Sequence, residues 1–260
     1  MTRDGSCPSE PTLRTNLSIL PVILLVGGKG TRLAPVSGGR PKCLMPVARR
    51  PFLAWQLDYF LCQGIRKFIL ATGCGAREVE AFARAYLGDR GEITVSRETR
   101  LLGTGGAIRQ ALMHVDTVEC FAANGDTFLL ADLRRVLNEH RRRKARATIV
   151  VKHMAEIIER GSIRRDQQGW IRAFEEKRRH GGGWFNGGVY LLGRDIFDRF
   201  GKGEVFSLEH DLFPRLAGTG LLGVATRGAF LDIGTPHAWR RAALWLKENW
   251  RASPGARRAR

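Results

Sequence analysis

Five apolar residues in a row, Val22 to Val26, stop abruptly at Gly27-Gly28-Lys29-Gly30-Thr31-Arg32-Leu33. A run with no polar alternate reads as a strand buried on both faces, drawn here over Ile19–Val26. Downstream, Pro51 suits the first turn of a helix over Phe52–Gln63, closed by Gly64. A strand at Lys67–Thr72, a helix at Ala76–Leu87 closed by Gly88 and a strand at Glu92–Arg97 follow. A second glycine cluster, Leu102-Gly103-Thr104-Gly105-Gly106-Ala107, leads into a helix over Ile108–His114. Next come a strand at Glu119–Ala123, which ends at Asn124-Gly125-Asp126, and a helix at Asp132–Lys144. This alternation predicts an α/β fold with a Rossmann-like, doubly wound, mostly parallel sheet. The carboxyl ends of its strands share one edge, where such sheets bind ligands, so the glycine loop and Asp126 belong to that edge.

After Ala145 the rhythm changes. Strand patterns at Ala147–Met154, Ser162–Arg165, Trp170–Glu175 and Trp184–Leu192, separated by glycines, predict a small antiparallel section in the C-terminal half, a substrate lid or platform. Helices at Asp195–Phe200 and Leu208–Leu216, a short strand within Gly228–Gly234 and a last helix over His237–Trp250, capped by Thr235-Pro236, complete the pattern. Residues 1–16 read as a disordered leader, 17–250 as a single domain and 251–260 as a disordered basic tail.

The first glycine loop has the makings of a phosphate site: a strand, bare backbone N–H groups and cations at Lys29 and Arg32. It lacks the Lys-Ser or Lys-Thr of a Walker A loop, and Leu33 breaks the dinucleotide fingerprint. A tight turn with two solvated cations remains the alternative. The formal charge of +18, from 43 Lys and Arg against 25 Asp and Glu, favours anionic partners, although a surface rich in arginine accounts for much of it. The helix with Arg134, Arg135, Arg141, Arg142, Arg143 and Lys144 has no interleaved aromatic residues, which favours a solvated face over a nucleic-acid patch. The five cysteines include no C-x-x-C pair and point to a reducing cytoplasm. The apolar run Leu17–Val26 is too short to span a bilayer, so neither a membrane nor a nucleic-acid partner is expected.

Taken in order, Gly27-Gly28-x-Gly30-Thr31-Arg32-Leu33, Pro41-Lys42, Leu102-Gly103-Thr104-Gly105-Gly106, Asn124-Gly125-Asp126, Glu176-Lys177, Asn186-Gly187-Gly188-Val189-Tyr190 and Asp232-Ile233-Gly234-Thr235-Pro236 resemble the sugar-phosphate nucleotidyltransferases. The resemblance spans about residues 20–245. Within the family it is strongest to enzymes that guanylylate a heptose 1-phosphate, through Asn124 to Phe128, Phe206-Ser207-Leu208-Glu209 and Phe230 to Gly234. It implies a Mg²⁺-dependent reaction between a nucleoside triphosphate and a sugar 1-phosphate, with residues 17–145 as the nucleotide part and 146–250 as the sugar and C-terminal part. Mannose 1-phosphate guanylyltransferases, uridylyl- and thymidylyltransferases and a catalytically silent regulatory homologue are the alternatives, and a homo-oligomer is left open.

By the same resemblance Asp126 and Asp232 hold the metal, and Arg32, Lys42 and Lys177 act on the phosphates. Gly27, Gly28, Gly30, Thr31, Arg32, Glu98, Gly103, Thr104 and Gly105 bind the nucleotide. Glu176, Asn186 and Gly187 bind the sugar. Without the family, Asp126 and Asp232 read as turn residues, Lys42, Glu176 and Lys177 as ordinary surface charges, and Asn186-Gly187 as a β-turn. Glu98 occupies the place of a base-reading side chain. A carboxylate only accepts hydrogen bonds, and guanine offers two adjacent donors, so guanine is the matching base.

Overall fold

The structure, a computed structural model, describes residues 16–28, 30–73, 75–155, 161–175 and 181–250. The expected leader and basic tail lie outside the described residues, except for Asn16.

In chain order the elements are β1 (Pro21–Leu25), α1 (Ala34–Ser37), β2 (Pro46–Val47), β3 (Arg50–Pro51), α2 (Phe52–Gln63), β4 (Lys67–Thr72), α3 (Ala76–Leu87), β5 (Glu92–Arg97) and α4 (Gly103–Ala111). There follow β6 (Glu119–Asn124), β7 (Thr127–Leu129), α5 (Leu133–Arg142), β8 (Ala147–Met154), β9 (Ser162–Arg165), β10 (Ile171–Glu175) and β11 (Gly183–Gly193). The chain continues with α6 (Phe213–Leu216), β12 (Leu221–Ala225), β13 (Phe230–Asp232) and α7 (Pro236–Asn249).

The parallel block runs β5-β4-β1-β6, with the chain winding outward from β1 in both directions. β11 pairs antiparallel with β6, and it also carries β8 and β9, so the antiparallel section extends the main sheet directly. β12, unforeseen in the sequence, lies parallel to β8.

β1 explains why the opening apolar run has no polar alternate. Val22 and Leu24 pack into a core with α2, α3 and α5, while Ile23 faces a second core with α4 and the Phe197–Leu216 region. Both faces are dry, as a doubly wound sheet requires.

Four expected helices differ. α4 begins at Gly103 rather than Ile108, because the glycines are its first turn: the N–H groups of Gly105 and Gly106 donate to the Phe206 carbonyl at 3.0 and 3.3 Å. Arg194–Phe197 forms a single 3₁₀ turn, and Leu208–Leu212 is a π-turn that runs into α6. The arginine-rich helix is one or two residues shorter at each end, with Asp132 as its N-cap, accepting from the Arg135 N–H at 3.0 Å. Its Arg141 pairs with Glu119, and Arg142 and Arg143 pair with Glu139.

Candidate active site

β1 and β6 are neighbours in register, with Leu25 opposite Asn124, so the turns that follow them emerge side by side. The Gly125 N–H donates to the Leu25 carbonyl at 3.0 Å. Across β1, the Gly27 backbone passes so close to Gly73 that a Cβ on Gly27 would stand 2.6 Å from the Gly73 nitrogen. Gly30 turns the chain with φ of +60°. Together these loops open a cleft of about 480 Å³. Gly27, Gly28, Gly30, Thr31, Lys42, Glu98, Gly103, Thr104 and Asp126 are among the residues that line it.

Asp232 reaches this edge through a two-stranded ribbon. β13 pairs antiparallel with β7, Asp232 lies opposite Thr127, and the Ile233 N–H donates to the Asp126 carbonyl at 2.9 Å. The Lys42 ammonium is ion-paired with the Asp126 carboxylate. The Gly234 N–H donates to Asp232 Oδ1 at 2.6 Å. A methyl group on Gly234 would sit 2.7 Å from Asp232 Oδ1, 3.2 Å from Lys42 Nζ and 3.4 Å from an Arg32 guanidinium nitrogen. Two carboxylates and two cations therefore converge beside one glycine, although Arg32 itself stays at the exposed rim.

Glu98 is half-buried. Its Oε2 accepts from the Leu102 N–H at 3.3 Å, and burial pushes its carboxyl above the usual range. Cys43 also lines the cleft, but burial raises its thiol to about 12, which removes it as a nucleophile at neutral pH. Burial likewise raises the thiol of Cys62, and that of Cys120 to about 12, and all three cysteines are free.

Gly105 does not line the cleft. It accommodates the Phe206 ring, 2.2 Å from where a Cβ would be, and its N–H is held by Phe206. Asn186 and Gly187 lie beyond the cleft, along β11. Asn186 Nδ2 donates to the Tyr190 hydroxyl at 3.0 Å, and Gly187 packs against Leu129. Glu176, Lys177 and Lys29 lie outside the described residues.

The sequence reading missed two contributors. Asn124 lines the cleft, and its buried Oδ1 has no hydrogen-bond partner among the described protein groups. Its signal was the Asn-Gly-Asp motif, from which only the aspartate was taken. Glu209 joins the two halves: its carboxylate accepts from the Thr104 hydroxyl at 2.8 Å, the Ser207 hydroxyl at 3.0 Å and the Tyr190 hydroxyl at 3.2 Å. Burial, followed by the Glu209 charge, holds Tyr190 well above its ordinary value, so it remains a donor.

A cleft lined by glycine loops, with Lys42 ion-paired to Asp126 in its lining, suits a polyphosphate. The family model described as nucleotidyl transferase matches residues 21–249. The chain belongs to that family. A D-glycero-alpha-D-manno-heptose 1-phosphate guanylyltransferase of Aneurinibacillus thermoaerophilus is 37% identical over 86% of this chain and 97% of its own length. A protein of the same name from Campylobacter jejuni is 35% identical over 82% of this chain and 94% of its own. The crystal structure of HddC from Yersinia pseudotuberculosis complexed with GMP-PN superimposes with a TM-score of 0.78 at 28% identity, covering 87% of this chain and 99% of that one.

The chain is thus a nucleotidyltransferase, a transferase of nucleotide-sugar biosynthesis. Nucleotidyltransferases generally use a divalent metal. Asp126, in the turn just before β7, and Asp232, at the end of β13, supply hard oxygen donors and fit such an ion. Among the described residues no cluster of three or more His, Cys, Asp or Glu side chains gathers as a metal cage. The two carboxylates would therefore share the ion with water and substrate phosphates. No described helix is long and apolar enough to cross a membrane.

Proposed function

We propose that this enzyme transfers GMP from GTP to D-glycero-α-D-manno-heptose 1-phosphate, with Mg²⁺ held by Asp126 and Asp232, in the cytoplasm. The convergence of Arg32, Lys42, Asp126 and Asp232 around Gly234 carries the nucleotidyl-transfer chemistry. The two heptose-phosphate relatives, matched over almost their whole length, support the sugar. Glu98, the one carboxylate besides Asp126 on the cleft wall, supports the base.

In the reaction a phosphate oxygen of the sugar phosphate attacks the α-phosphorus of GTP. The new P–O bond forms as the bond from the α-phosphorus to the bridging oxygen breaks, and pyrophosphate leaves with that electron pair. Two polyanions must meet, so cations and alignment dominate catalysis. The backbone N–H groups of Gly28, Gly30 and Thr31, with Arg32, cradle the outgoing pyrophosphate. Lys42 stands where charge builds between the α- and β-phosphates, and Lys177 binds the incoming sugar phosphate. A bound Mg²⁺ neutralises phosphate charge. Glu98 accepts from the guanine ring N–H and exocyclic amine, and the Gly103-Thr104 turn lies under the base. Glu176 and Asn186 are assigned to the sugar hydroxyls, with Gly187 leaving room for the ring.

The deciding experiment is a matrix of the four nucleoside triphosphates against heptose, mannose and glucose 1-phosphates, read by pyrophosphate release. GTP with the heptose phosphate should give the highest kcat/KM. A higher value for mannose 1-phosphate, or for UTP, would overturn the corresponding half of the assignment.

A further inference from the structure

A second cavity, of about 360 Å³, opens beside the catalytic cleft but shares none of its lining residues. It lies between the end of β5 and the far side of α4. Ser96, Arg97, Arg109, Gln110, His114 and Lys202 line it, and among the described residues no acidic side chain does. On a chain of net charge +18 a basic cluster alone decides nothing. The state of Arg109 does. Arg141, Arg142, Arg143, Arg146 and Arg172 each pair with a carboxylate. Arg109 and Lys202 have no such partner among the described residues, and Arg109 Nε has no protein acceptor among them either. A guanidinium N–H without a protein acceptor calls for water or a ligand oxygen to complete it, and the unpaired charge beside it favours an anionic one.

The rest of the wall is arranged as donors. The Gln110 amide is held by the Arg97 carbonyl at 2.7 Å and by Ser96 Oγ at 3.3 Å, which leaves the Ser96 hydroxyl proton free to donate. His114 adds a ring nitrogen and Lys202 a mobile ammonium at the rim. Arg97 is tied to Glu80, which it shares with Arg84. A planar guanidinium fork flanked by a hydroxyl and an ammonium matches the oxygens of a phosphoryl group. The volume leaves room for a small organic body behind it, against the exposed Met113.

We propose that this cavity is a second anion site, for the phosphoryl group of a phosphomonoester, with Arg109 as its principal ligand. The site abuts elements that also build the nucleotide cleft. Ser96 and Arg97 precede Glu98, Arg109 and Gln110 share α4 with Gly103 and Thr104, and the Gly203 carbonyl accepts from Arg100 at 3.1 Å.

The test uses the full chain with its catalytic cleft disabled by Arg32→Ala and Lys42→Met. Inorganic phosphate, GMP and mannose 1-phosphate are titrated separately by calorimetry. Binding of at least one, near one equivalent, is expected, and adding Arg109→Ala should weaken it about tenfold or more. Tighter binding of GMP or of the sugar phosphate than of phosphate identifies the organic body, and equal binding assigns the phosphoryl group alone. In the otherwise native chain, Arg109→Ala should leave kcat within about twofold. No binding in the cleft-disabled chain, an unchanged Kd in Arg109→Ala, or a matching fall in kcat would overturn the proposal. If the alanine variant does not fold, Arg109→Lys, which keeps the charge but loses the fork, should weaken binding severalfold. Because binding is read without turnover, the result stands apart from the choice of sugar or base.

Discussion

The ammonium of Lys42 is ion-paired with the carboxylate of Asp126. If Asp126 holds the metal as proposed, the lysine competes with that cation for the same oxygens until a triphosphate draws it away. Replacing Lys42 with Met removes that competitor and also removes a positive charge from the phosphates. Mn²⁺ titration should show metal binding about tenfold tighter in Lys42→Met, while kcat falls by about 100- to 1,000-fold. Asp126→Asn should weaken the same binding and lower kcat as well. Weaker metal binding in Lys42→Met would refute the competition.

Gly234 is the point on which Asp232, Lys42 and Arg32 converge. Its φ is not in the left-handed region, so alanine fits the backbone. What the added methyl meets are the far ends of three side chains, which can swing aside at little cost in stability. Those ends belong to the groups that the proposed function assigns to the metal and the phosphates. Gly234→Ala should lower kcat by about 10- to 100-fold and shift Tm by less than about 2 °C. A large fall in Tm with kcat preserved would show that the glycine serves packing instead.

The two halves of the site were not equally legible in the sequence. α2, β4, α3 and β5 fall where Pro51, Gly64 and Gly88 mark their ends, because strong breakers bound long periodic runs. The common edge for Gly27 and Asp126 followed from parallel winding alone. The meeting of Asp126 with Asp232 did not. It depends on β7 and β13, three residues each, too short to show a period, and only the family resemblance implied it. The glycines of α4 misled for a different reason. The resemblance assigns Gly103 and Gly105 to the nucleotide and the helix is expected only from Ile108, but Gly105 and Gly106 make room for Phe206 and Glu204, a contact about 100 residues away that no local pattern reveals.

Glu98 gives a pH signature. Burial raises its carboxyl above the usual range, and only the ionised form accepts both guanine donors. KM for GTP should therefore rise as pH falls through that raised value, and KM for UTP should not follow it. Glu98→Gln replaces one acceptor with a donor facing the guanine amine. It should reduce kcat/KM for GTP by about 10- to 100-fold and abolish that pH dependence. An unchanged preference for GTP over UTP in this variant would remove Glu98 from base recognition.

His140 should control the acid limb of stability. Its Nδ1 lies 2.8 Å from Thr148 Oγ1, and its Nε2 lies 3.5 Å from Glu119, between α5, β8 and the start of β6. Burial lowers its pKa from the ordinary 6.5, and the attraction of Glu119 only partly offsets this. Below 6.5 the unfolded chain binds a proton that the folded chain resists, so folding loses stability as pH falls from about 6.5 toward the depressed folded value. Above 6.5 both states are neutral and this contribution is fully present. Urea melts of the native chain should therefore show a declining midpoint between about pH 6.5 and 5, where carboxylates with ordinary pKa values are still largely ionised. His140→Gln, which can keep a hydrogen bond to Thr148 without titrating, should start from a lower midpoint at pH 7.5 and show a shallower decline. A decline as steep as that of the native chain would assign the acid limb to other groups.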